Sequence, residues 1–396
     1  MFSGFAVWPL SMSLTSTPLN IGIVAGEASG DILAAGLLRE LRDRNPGMRA
    51  EGVAGPEMIA TGCNDLWPLE KLSVMGLVEV LAHLPELLRL RRDVVRHFSS
   101  TRPDVYIGVD APDFNLGLEL RLKRRGIRTV QYVSPSIWAW RQSRAAKIGR
   151  GTDLVLCLFP FEPEIYARHG VNAVFVGHPL ADLIPPNVDT HAARASLNLA
   201  GHGKLVALLP GSRMGEVSRL ADTFIETANW LRKRDPDLQF VIPAATPRIR
   251  DFLEARLTAR QSDGINIVDG RSRDVMAAAD AVLLASGTAA LEAMLLKRPM
   301  VVSYRVSALT YFLVRALRLL KLPYVSLPNV LARKKIVPEC LQGDARPEIL
   351  GEEILKLLQD PVASGRQTQV FDEIHATLRR NANARAADAV LQLTGG

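Results

Sequence analysis

Cysteine is scarce in this sequence, and its three occurrences, Cys63, Cys157 and Cys340, share no close spacing. An odd and scattered set of this kind argues against a disulfide framework and against a zinc site. It is typical of a protein that works in a reducing cytoplasm. Cys157 lies within an apolar run, where we expect it to fill the core.

Long apolar runs are also missing, and none reaches the roughly 18 residues that a membrane-spanning helix needs. Residues 1–19 contain an apolar stretch, but no basic segment precedes it, and Pro9 and Ser11 interrupt it. This is not the pattern of a signal peptide, so we expect a disordered extension here. We also expect a protein that does not cross a bilayer.

The glycine signatures of common nucleotide sites are absent as well. The turn after the first apolar run reads AGEASGD (25–31), which is neither Gly-x-Gly-x-x-Gly nor a Gly-Lys-Ser/Thr loop. The sequence has no RNP-like motif, no zinc spacing and no aromatic–basic interleaving, so nucleic acid is not an expected partner. The net charge of +7 instead favours a phosphate-bearing substrate or an anionic membrane surface.

What the chain does have is length and a repeated strand–helix pattern. Its 396 residues, of which 48% are hydrophobic, are enough for two cores. Short apolar runs alternate with amphipathic stretches, and the pattern restarts after Pro185-Pro186. Such alternation predicts parallel sheets covered by helices on both faces. We therefore predict an α/β protein with two Rossmann-like domains, at residues 20–190 and 191–365, facing across a cleft.

The stretch GVDAPDFN (108–115) follows a predicted strand and places two carboxylates at its carboxyl end. Ligands of parallel sheets bind at that end. Two nearby carboxylates repel each other, which raises one pKa toward the range of a general base. Asp110 and Asp113 are therefore candidate catalytic residues. The alternative is that Asp113 caps the next helix and Asp110 is a turn residue.

Two turns in the second half suit a phosphate group. Residues 281–296 read as a strand, a Ser286-Gly287-Thr288 turn and a helix, so free amides and the helix dipole favour an anion there. Ordinary capping by Ser286 or Thr288 is the alternative. Arg213, in an earlier Gly-Ser-Arg turn, has the fork of donors that clamps a diphosphate. Glu292 lies one helical turn on, within reach of a ribose diol.

At two further positions the sequence allows either a functional or a structural role. The first strand–helix turn contains Glu27, Ser29 and Asp31, which suit a sugar, although Ser29 or Asp31 could equally cap the helix. His178 follows a strand at the predicted domain junction, where a lone histidine is as often structural as catalytic.

One segment is apolar and then strongly basic, as in helices that lie in the membrane interface. Its basic end contains Arg89, Arg91 and Arg92. The alternative is a buried helix with a basic end. Thr310–Lys321 is a second segment of this kind. The expected membrane contacts in the first segment are Val74, Met75, Leu77, Val78 and Leu81.

Together these motifs resemble the lipid-A-disaccharide synthase family, over residues 20 to about 345. At PECLQ (338–342) the family pattern has leucine where this chain has Cys340, and Glu339 and Gln342 are retained. The resemblance rests on AGEASGD (25–31), GVAGPEM (52–58), SVMGLVEVL (73–81), GVDAPDFN (108–115), YVSPSIWAWR (132–141), VGHPL (176–180), LLPGSR (208–213), ASGTAALE (285–292) and SLPNVL (326–331).

The resemblance implies a GT-B glycosyltransferase of Gram-negative lipid A biosynthesis that needs no metal or other cofactor. Its substrates would be UDP-2,3-diacylglucosamine and 2,3-diacylglucosamine 1-phosphate (lipid X). The reaction would invert the donor and release UDP at the cytoplasmic face of the inner membrane, on anionic lipid. It also implies that residues 366–396 return to the first domain, and it allows a homodimer formed by exchange of C-terminal parts.

The same resemblance assigns roles to the candidate residues. Asp110 would be the base, with Asp113 second. Arg213, Ser286, Gly287 and Thr288 would hold the donor diphosphate, and Glu292 would hold the ribose. The residues expected to line the rest of the cleft are Glu27, Ser29, Asn329, Glu339 and Gln342.

Two other functions compete with this one. A soluble UDP-sugar enzyme of the same fold, such as a UDP-N-acetylglucosamine epimerase or the peptidoglycan transferase, would not need the exposed apolar segment at residues 72–84. A nucleotide-sugar or lipid carrier would not need Asp110.

Overall fold

The chain forms two compact units. The first comprises the residues up to Pro135, Ser143–Val176 and the residues from Asn383 onward. The second comprises Ser136–Gln142 and Gly177–Ala382. The structure, a computed structural model, describes residues 18–72, 77–140, 143–199, 203–305 and 324–395, with the backbone alone at 77–83, 139 and 140.

The elements up to residue 176 alternate strand and helix, as the sequence predicts. In chain order they are β1 (Asn20–Ala25), α1 (Ala28–Arg44), β2 (Arg49–Ala54), α2 (Pro56–Ala60), β3 (Asn64–Pro68), α3 (Leu77–Thr101), β4 (Val105–Val109), α4 (Pro112–Lys123), β5 (Arg128–Tyr132), α5 (Ile137–Trp140), α6 (Arg144–Gly151), β6 (Leu154–Cys157), α7 (Glu162–Ala167) and β7 (Ala173–Phe175).

The first unit is built on a seven-stranded parallel sheet in the order β3-β2-β1-β4-β5-β6-β7. Both faces of β1 are covered, because Ile23 joins a core with α1, while Val24 joins a second core with Phe98 of α3 and Leu118 of α4. Burial on both faces explains why this strand reads as a continuous apolar run rather than an alternating one.

The elements from residue 177 onward repeat the pattern. They are α8 (Pro179–Leu183), α9 (Thr190–Ser196), β8 (Leu205–Leu209), α10 (Met214–Arg232), β9 (Gln239–Ala244), α11 (Pro247–Ala259), β10 (Ile265–Asp269), α12 (Ser272–Ala278), β11 (Ala281–Ala285), α13 (Thr288–Leu295), β12 (Met300–Tyr304), α14 (Leu327–Ala332), β13 (Glu339–Leu341), α15 (Pro347–Gln359), α16 (Pro361–Leu378) and α17 (Ala382–Thr394).

The second unit is a six-stranded parallel sheet in the order β10-β9-β8-β11-β12-β13. Its core joins Phe224 of α10, Phe240 of β9, Leu283 of β11 and Ile354 of α15, all fully buried. Two parallel α/β sheets of this order confirm the predicted fold class of paired Rossmann-like domains.

The C-terminal helices divide between the two units. Helix α16 lies in the second, where the Gln367 side chain bonds the backbone N–H and C=O of Met300 at 2.8 and 3.3 Å. Helix α17 lies in the first from Asn383 onward and contributes Ala386 and Val390 to the core that contains α1. Gly36 of α1 allows this approach, because a Cβ there would come within 2.5 Å of the Asn383 amide.

The apolar pattern of the sequence did not predict every element. Strands β2 and β3 were not predicted, because β2 begins with the polar Arg49-Ala-Glu51 and β3 is a partly exposed edge strand. Helix α3 begins at Leu77 and continues through Pro85, although a proline inside a helix removes one of its hydrogen bonds. Among the described residues, no helix is both long and apolar enough to span a bilayer.

Candidate active site

Five of the predicted residues lie together in the second unit. They line a cavity of ≈ 620 Å³ at the carboxyl ends of the strands β8, β9, β11 and β12. This is where parallel sheets bind their ligands. The five are Arg213, Ser286, Gly287, Thr288 and Glu292.

The turn between β8 and α10 places Arg213 at the residue just before the helix. Gly211 makes the turn possible, because its φ is +136° and a side chain there would meet the Cβ of Glu216 at 2.6 Å. The Arg213 side chain is 60% exposed, and its ion pair with Glu216 is 4.0 Å long. Because a pair this long holds the guanidinium only weakly, the Arg213 side chain can turn toward an anion in the cavity.

The turn between β11 and α13 presents backbone amides to the same cavity. Gly287 is the residue before the helix, with φ +154°, and no side chain caps this helix end. The capping alternative for Ser286 and Thr288 therefore does not hold. The Ser286 hydroxyl makes one long contact, 3.5 Å, to the carbonyl of Val325. The first amides of α13 remain available for an anion.

Glu292 is oriented by a residue that the sequence did not single out. Arg273 of α12 donates from Nε and Nη2 to the same oxygen, Oε1, at 3.2 and 3.0 Å. The Glu292 side chain is only 16% exposed. Within the described part of the chain no donor bonds its Oε2, so that oxygen is available to a ligand. The 19-residue separation of the pair hides it from any local pattern.

Asn329 and Glu339 make internal bonds and do not line this cavity. The Asn329 side chain is fully buried, donates to the carbonyl of Val337 at 2.9 Å and also donates to Glu339 at 2.8 Å. Glu339 accepts from the backbone amides of Val325 and Ser326. The two residues therefore fix the segment that leads into α14.

Three other candidates lie at turns. Glu27 precedes α1 and is half-buried, Ser29 is exposed in its first turn, and Gln342 begins a short 3-10 turn with φ +51°. Neither Ser29 nor Asp31 caps α1. The Asp31 carboxylate instead accepts three backbone amides at the start of α2, the first from Gly55 at 3.0 Å. This contact across 24 residues is a tertiary one that the local sequence does not show.

In the first unit, Asp110 lies one residue beyond β4 in a left-handed backbone conformation with φ +54°, and Ala111 follows with φ +41°. Non-glycine residues pay about 1–2 kcal/mol each for this conformation. Burial raises the pKa of the Asp110 carboxyl group, and a hydrogen bond from the backbone N–H of Ala111 opposes the rise. The cause is thus desolvation and not repulsion by Asp113, which is exposed in the first turn of α4.

Two buried side chains bond the backbone of Asp110 and a third bonds one of them, and none of the three was among the candidates predicted from the sequence. Asn115 donates to the Asp110 carbonyl at 2.9 Å, and Gln131 donates to it at 3.4 Å. The hydroxyl of Tyr106 donates to Asn115 Oδ1 at 2.9 Å. Each is fully buried. Buried polar residues inside apolar strands and helices are the signal that could have found them.

His178 has a structural role. Its Nδ1 accepts the backbone N–H of Leu180 at 3.2 Å and so caps α8. Burial lowers the pKa of the imidazole to about 4, which keeps it neutral.

The predicted membrane contacts fall where no side chains are described. Val74 and Met75 lie outside the described residues, and so do the side chains of Leu77, Val78 and Leu81, as does the second candidate segment, Thr310–Lys321.

Just beyond that first segment, the described part of α3 exposes two leucines one turn apart, Leu84 at 42% and Leu88 at 43%. Arg89 and Arg92 are exposed. Arg91 is not a free basic residue, because it donates to the Asp113 carbonyl at 2.8 Å and lies over the Phe114 ring.

Solved structures of similar shape share the fold at low identity. UDP-GlcNAc 2-epimerase from Neisseria meningitidis bound to UDP-GlcNAc superposes with a TM-score of 0.63 at 12% identity, covering 95% of this chain and 99% of that one. A glycotransferase of kitacinnamycin superposes with a TM-score of 0.61 at 17% identity, over 95% and 99% of the two chains. Both comparisons agree with the two Rossmann-like units.

Sequence comparison is more specific. The family model described as lipid-A-disaccharide synthetase matches residues 21–393. The lipid-A-disaccharide synthase of Pseudomonas syringae pv. tomato is 54% identical over 380 residues, which is 96% of this chain and 98% of that protein. The enzyme of the same name from Hahella chejuensis is 50% identical over 384 residues, 96% of each chain. The chain therefore belongs to the lipid-A-disaccharide synthase family of glycosyltransferases.

Proposed function

We propose that this protein transfers the 2,3-diacylglucosamine unit of UDP-2,3-diacylglucosamine to the 6-hydroxyl of lipid X. The products are the β-1,6-linked disaccharide 1-phosphate and UDP. The family membership supports the assignment to lipid A biosynthesis, and the relatives carry the name of this activity. The structural observation that carries the proposal is the cavity of the second unit, which is lined by an exposed arginine, an uncapped helix N-terminus and an oriented carboxylate.

The donor nucleotide fits this cavity by charge. Its diphosphate needs cationic and N–H donors, which the Arg213 guanidinium and the first amides of α13 supply. The ribose diol needs an acceptor, which is Oε2 of Glu292 once Arg273 holds Oε1. Stabilising the diphosphate as it leaves is also the largest electrostatic demand of the reaction. We propose that these groups meet it without a metal ion or other cofactor.

The first unit supplies the base in this proposal. Asp110 removes the proton from the acceptor hydroxyl as that oxygen attacks the anomeric carbon, and the bond to the UDP oxygen breaks on the opposite side. A single displacement of this kind inverts an α-linked donor to a β-linked product. Burial suits Asp110 to the role, because it raises the carboxyl pKa and makes the ionised form a stronger base.

The acyl chains of both substrates require access to a membrane. We propose that the protein binds the cytoplasmic face of the inner membrane peripherally, through residues 74–81 with Leu84 and Leu88. Exposed leucines beside the exposed Arg89 and Arg92 support this, since apolar side chains next to arginines suit an anionic interface. A homodimer formed through C-terminal parts is part of the same proposal.

The direct test is to incubate the purified protein with UDP-2,3-diacylglucosamine and lipid X and to analyse the lipids by mass spectrometry. We expect the disaccharide 1-phosphate to appear in step with UDP release, and to depend on both substrates. Formation of an epimerised nucleotide sugar from UDP-N-acetylglucosamine, with no disaccharide, would replace this proposal with the epimerase function.

A further inference from the structure

The backbone around Asp110 is strained where glycine would be the ordinary choice. Asp110, Ala111 and Val133 all have positive φ values, +54°, +41° and +77°. Val133 follows β5, the strand next to β4, and for a β-branched residue this conformation is an outlier. Strain of this kind persists only where surrounding contacts enforce it, and it clusters at functional sites.

The contacts that enforce it come from two buried amide side chains. Asn115 Nδ2 donates to the carbonyls of Asp110 at 2.9 Å and of Val109 at 3.4 Å. Gln131 Nε2 donates to the carbonyls of Asp110 at 3.4 Å and of Val133 at 3.1 Å. The strained ends of both strands are therefore tied by side chains, beyond the regular hydrogen bonds of the sheet.

These bonds fix the direction of the Asp110 side chain. The peptide plane before Asp110 is held by its N–H, which donates to the carbonyl of Tyr132 at 2.9 Å, and the plane after it is held by Asn115 and Gln131. When both planes are fixed, φ and ψ are fixed, and so is the bond from Cα to Cβ. Gly26 completes the arrangement, because only a residue without a Cβ leaves room for the side chain of Ala111.

Tyr106 anchors the Asn115 amide from its other end. The carbonyl oxygens of Val109 and Asp110 can only accept, so the NH₂ group of Asn115 must face them, and a flipped amide would set its oxygen against theirs. With the amide in this orientation, the Tyr106 hydroxyl donates to Asn115 Oδ1 at 2.9 Å and holds the side chain in place. The hydroxyl thus acts on Asp110 from a distance through one intermediate side chain.

We infer that Asn115 and Tyr106 are positioning residues that hold the base of the reaction in its working orientation. The inference rests on the proposed function, in which Asp110 is that base. Neither side chain contacts substrate in this account, since both are fully buried. Their effect should therefore fall on the chemical step and leave donor binding alone.

The test uses the full chain with Tyr106→Phe and Asn115→Ala. We expect kcat to fall on the order of 10- to 100-fold in each, as misplacement of a catalytic group does, while the UDP Kd changes by less than about twofold. Thermal unfolding is measured on the same samples. If Asn115→Ala does not fold, Tyr106→Phe keeps the test intact, because it removes one hydroxyl and little volume. Wild-type kcat in a folded Tyr106→Phe protein would overturn the inference.

Thr152→Val is the matched control. Its hydroxyl donates to Glu119 Oε2 of α4, the helix that carries Asn115, and makes no described bond to Asp110. The variant loses a buried hydrogen bond of the same region, so its thermal stability should fall comparably while kcat stays close to wild type. A parallel loss of kcat in Thr152→Val would mean that general loosening of α4 explains the effect, and the positioning role would be withdrawn.

A double-mutant cycle separates this inference from the proposed function. If Asn115 acts through Asp110, adding Asn115→Ala to Asp110→Ala should cost no further activity, whereas a merely structural role costs the same in both backgrounds. If Asp110→Ala is slow, and adding Asn115→Ala slows it by the same factor as in the wild type, the positioning role alone is overturned. An Asp110→Ala enzyme with a near-wild-type rate would instead overturn the assignment of the base.

Discussion

At the residue scale, environment separates two carboxylates that look equivalent in the sequence. Asp110 and Asp113 are three residues apart, but only Asp110 is partly buried and held in a strained backbone, while Asp113 is exposed in the first turn of α4. Burial raises the pKa of Asp110, and the bond from the Ala111 N–H keeps its ionised form accessible. These properties favour Asp110 as the base.

The first prediction concerns Asp110. Asp110→Ala should lower kcat by roughly 10²- to 10⁴-fold and leave UDP affinity nearly unchanged, because a general base acts in the chemical step. In the wild type, kcat should rise with pH as Asp110 ionises, and this limb should lie above the ordinary carboxyl pKa of about 4. Asp113→Ala is the matched control. If Asp113→Ala is the slower enzyme, the roles of the two carboxylates are reversed.

The second prediction concerns Arg213. Arg213→Ala should weaken UDP binding and lower kcat, because the diphosphate is charged both in the bound donor and as the leaving group. Arg213→Lys should recover only part of the loss, since an ammonium group lacks the two-pronged geometry of the guanidinium. Isothermal titration with UDP and steady-state rates measure the two effects. Turnover should also survive EDTA, and a strict need for Mg²⁺ or Mn²⁺ would contradict the metal-free proposal.

At the element scale, the strand-to-helix turns were predictable and the long-range contacts were not. The ends of β4, β8 and β11 can be read from an apolar run followed by Asp, by Pro-Gly and by Ser respectively, and they contain the best-placed candidates. The Arg273–Glu292 pair and the Asp31 cap of α2 join residues from different elements, and such pairings follow only from the tertiary fold.

Asn329 and Glu339 show a second limit of sequence patterns, which concerns the partners of a polar side chain. Both residues lie in motifs that suggest ligand contact, yet their side chains bond each other and the backbone that leads into α14. Sequence pattern can show that a polar residue matters for a site. It cannot show whether that residue touches the ligand or supports the chain that does.

The third prediction concerns the N-cap of α8. The pKa of His178 is about 4 in the folded protein against 6.5 when unfolded, so the unfolded chain binds the proton more readily between these values. The contribution of neutral His178 to the stability of the folded protein is fully present above pH 6.5 and is lost as the pH falls toward 4. The free energy of unfolding should drop by up to about 3 kcal/mol over this range.

His178→Asn provides the comparison, because asparagine also caps helices and does not titrate. Urea unfolding of both proteins between pH 4 and pH 7 would measure the difference. The difference in free energy of unfolding between wild type and variant should shift in favour of the variant as the solution becomes more acidic. Parallel pH dependence in the two proteins would show that His178 is protonated in the fold or reached by water.

At the scale of the whole molecule, the chain is not a simple tandem of two domains. It passes into the second unit for Ser136–Gln142 and returns to the first from Asn383, where α17 completes the core against α1. Arg44 of α1 and Asp388 of α17 add an ion pair at 3.1 Å. The first unit is therefore incomplete as a contiguous N-terminal fragment, and tests of its proposed membrane contacts require the full chain.

The fourth prediction concerns those contacts. Changing Val74, Met75 and Leu77 together to Ser should release the protein from vesicles of anionic phospholipid in a sedimentation assay. Each apolar side chain that enters the interface contributes roughly 25 cal/mol per Å² of buried area. Exposed arginines such as Arg89 and Arg92 add about 1 kcal/mol each near anionic lipid.

Two comparisons decide whether the apolar contribution is specific to this segment. High salt screens the arginines but not the apolar side chains, so it should release the wild-type protein only partly. Changing Ile59, Leu183 and Val362 to Ser alters three apolar residues that are exposed elsewhere, at 47%, 65% and 61%, and should leave vesicle binding intact. If this control is released as readily as the first variant, or if high salt alone removes all of the protein, binding does not depend on residues 74–77. The basic end of α3 would then be an ordinary solvated surface, and the acyl chains of the proposed substrates would have to reach the enzyme by another route.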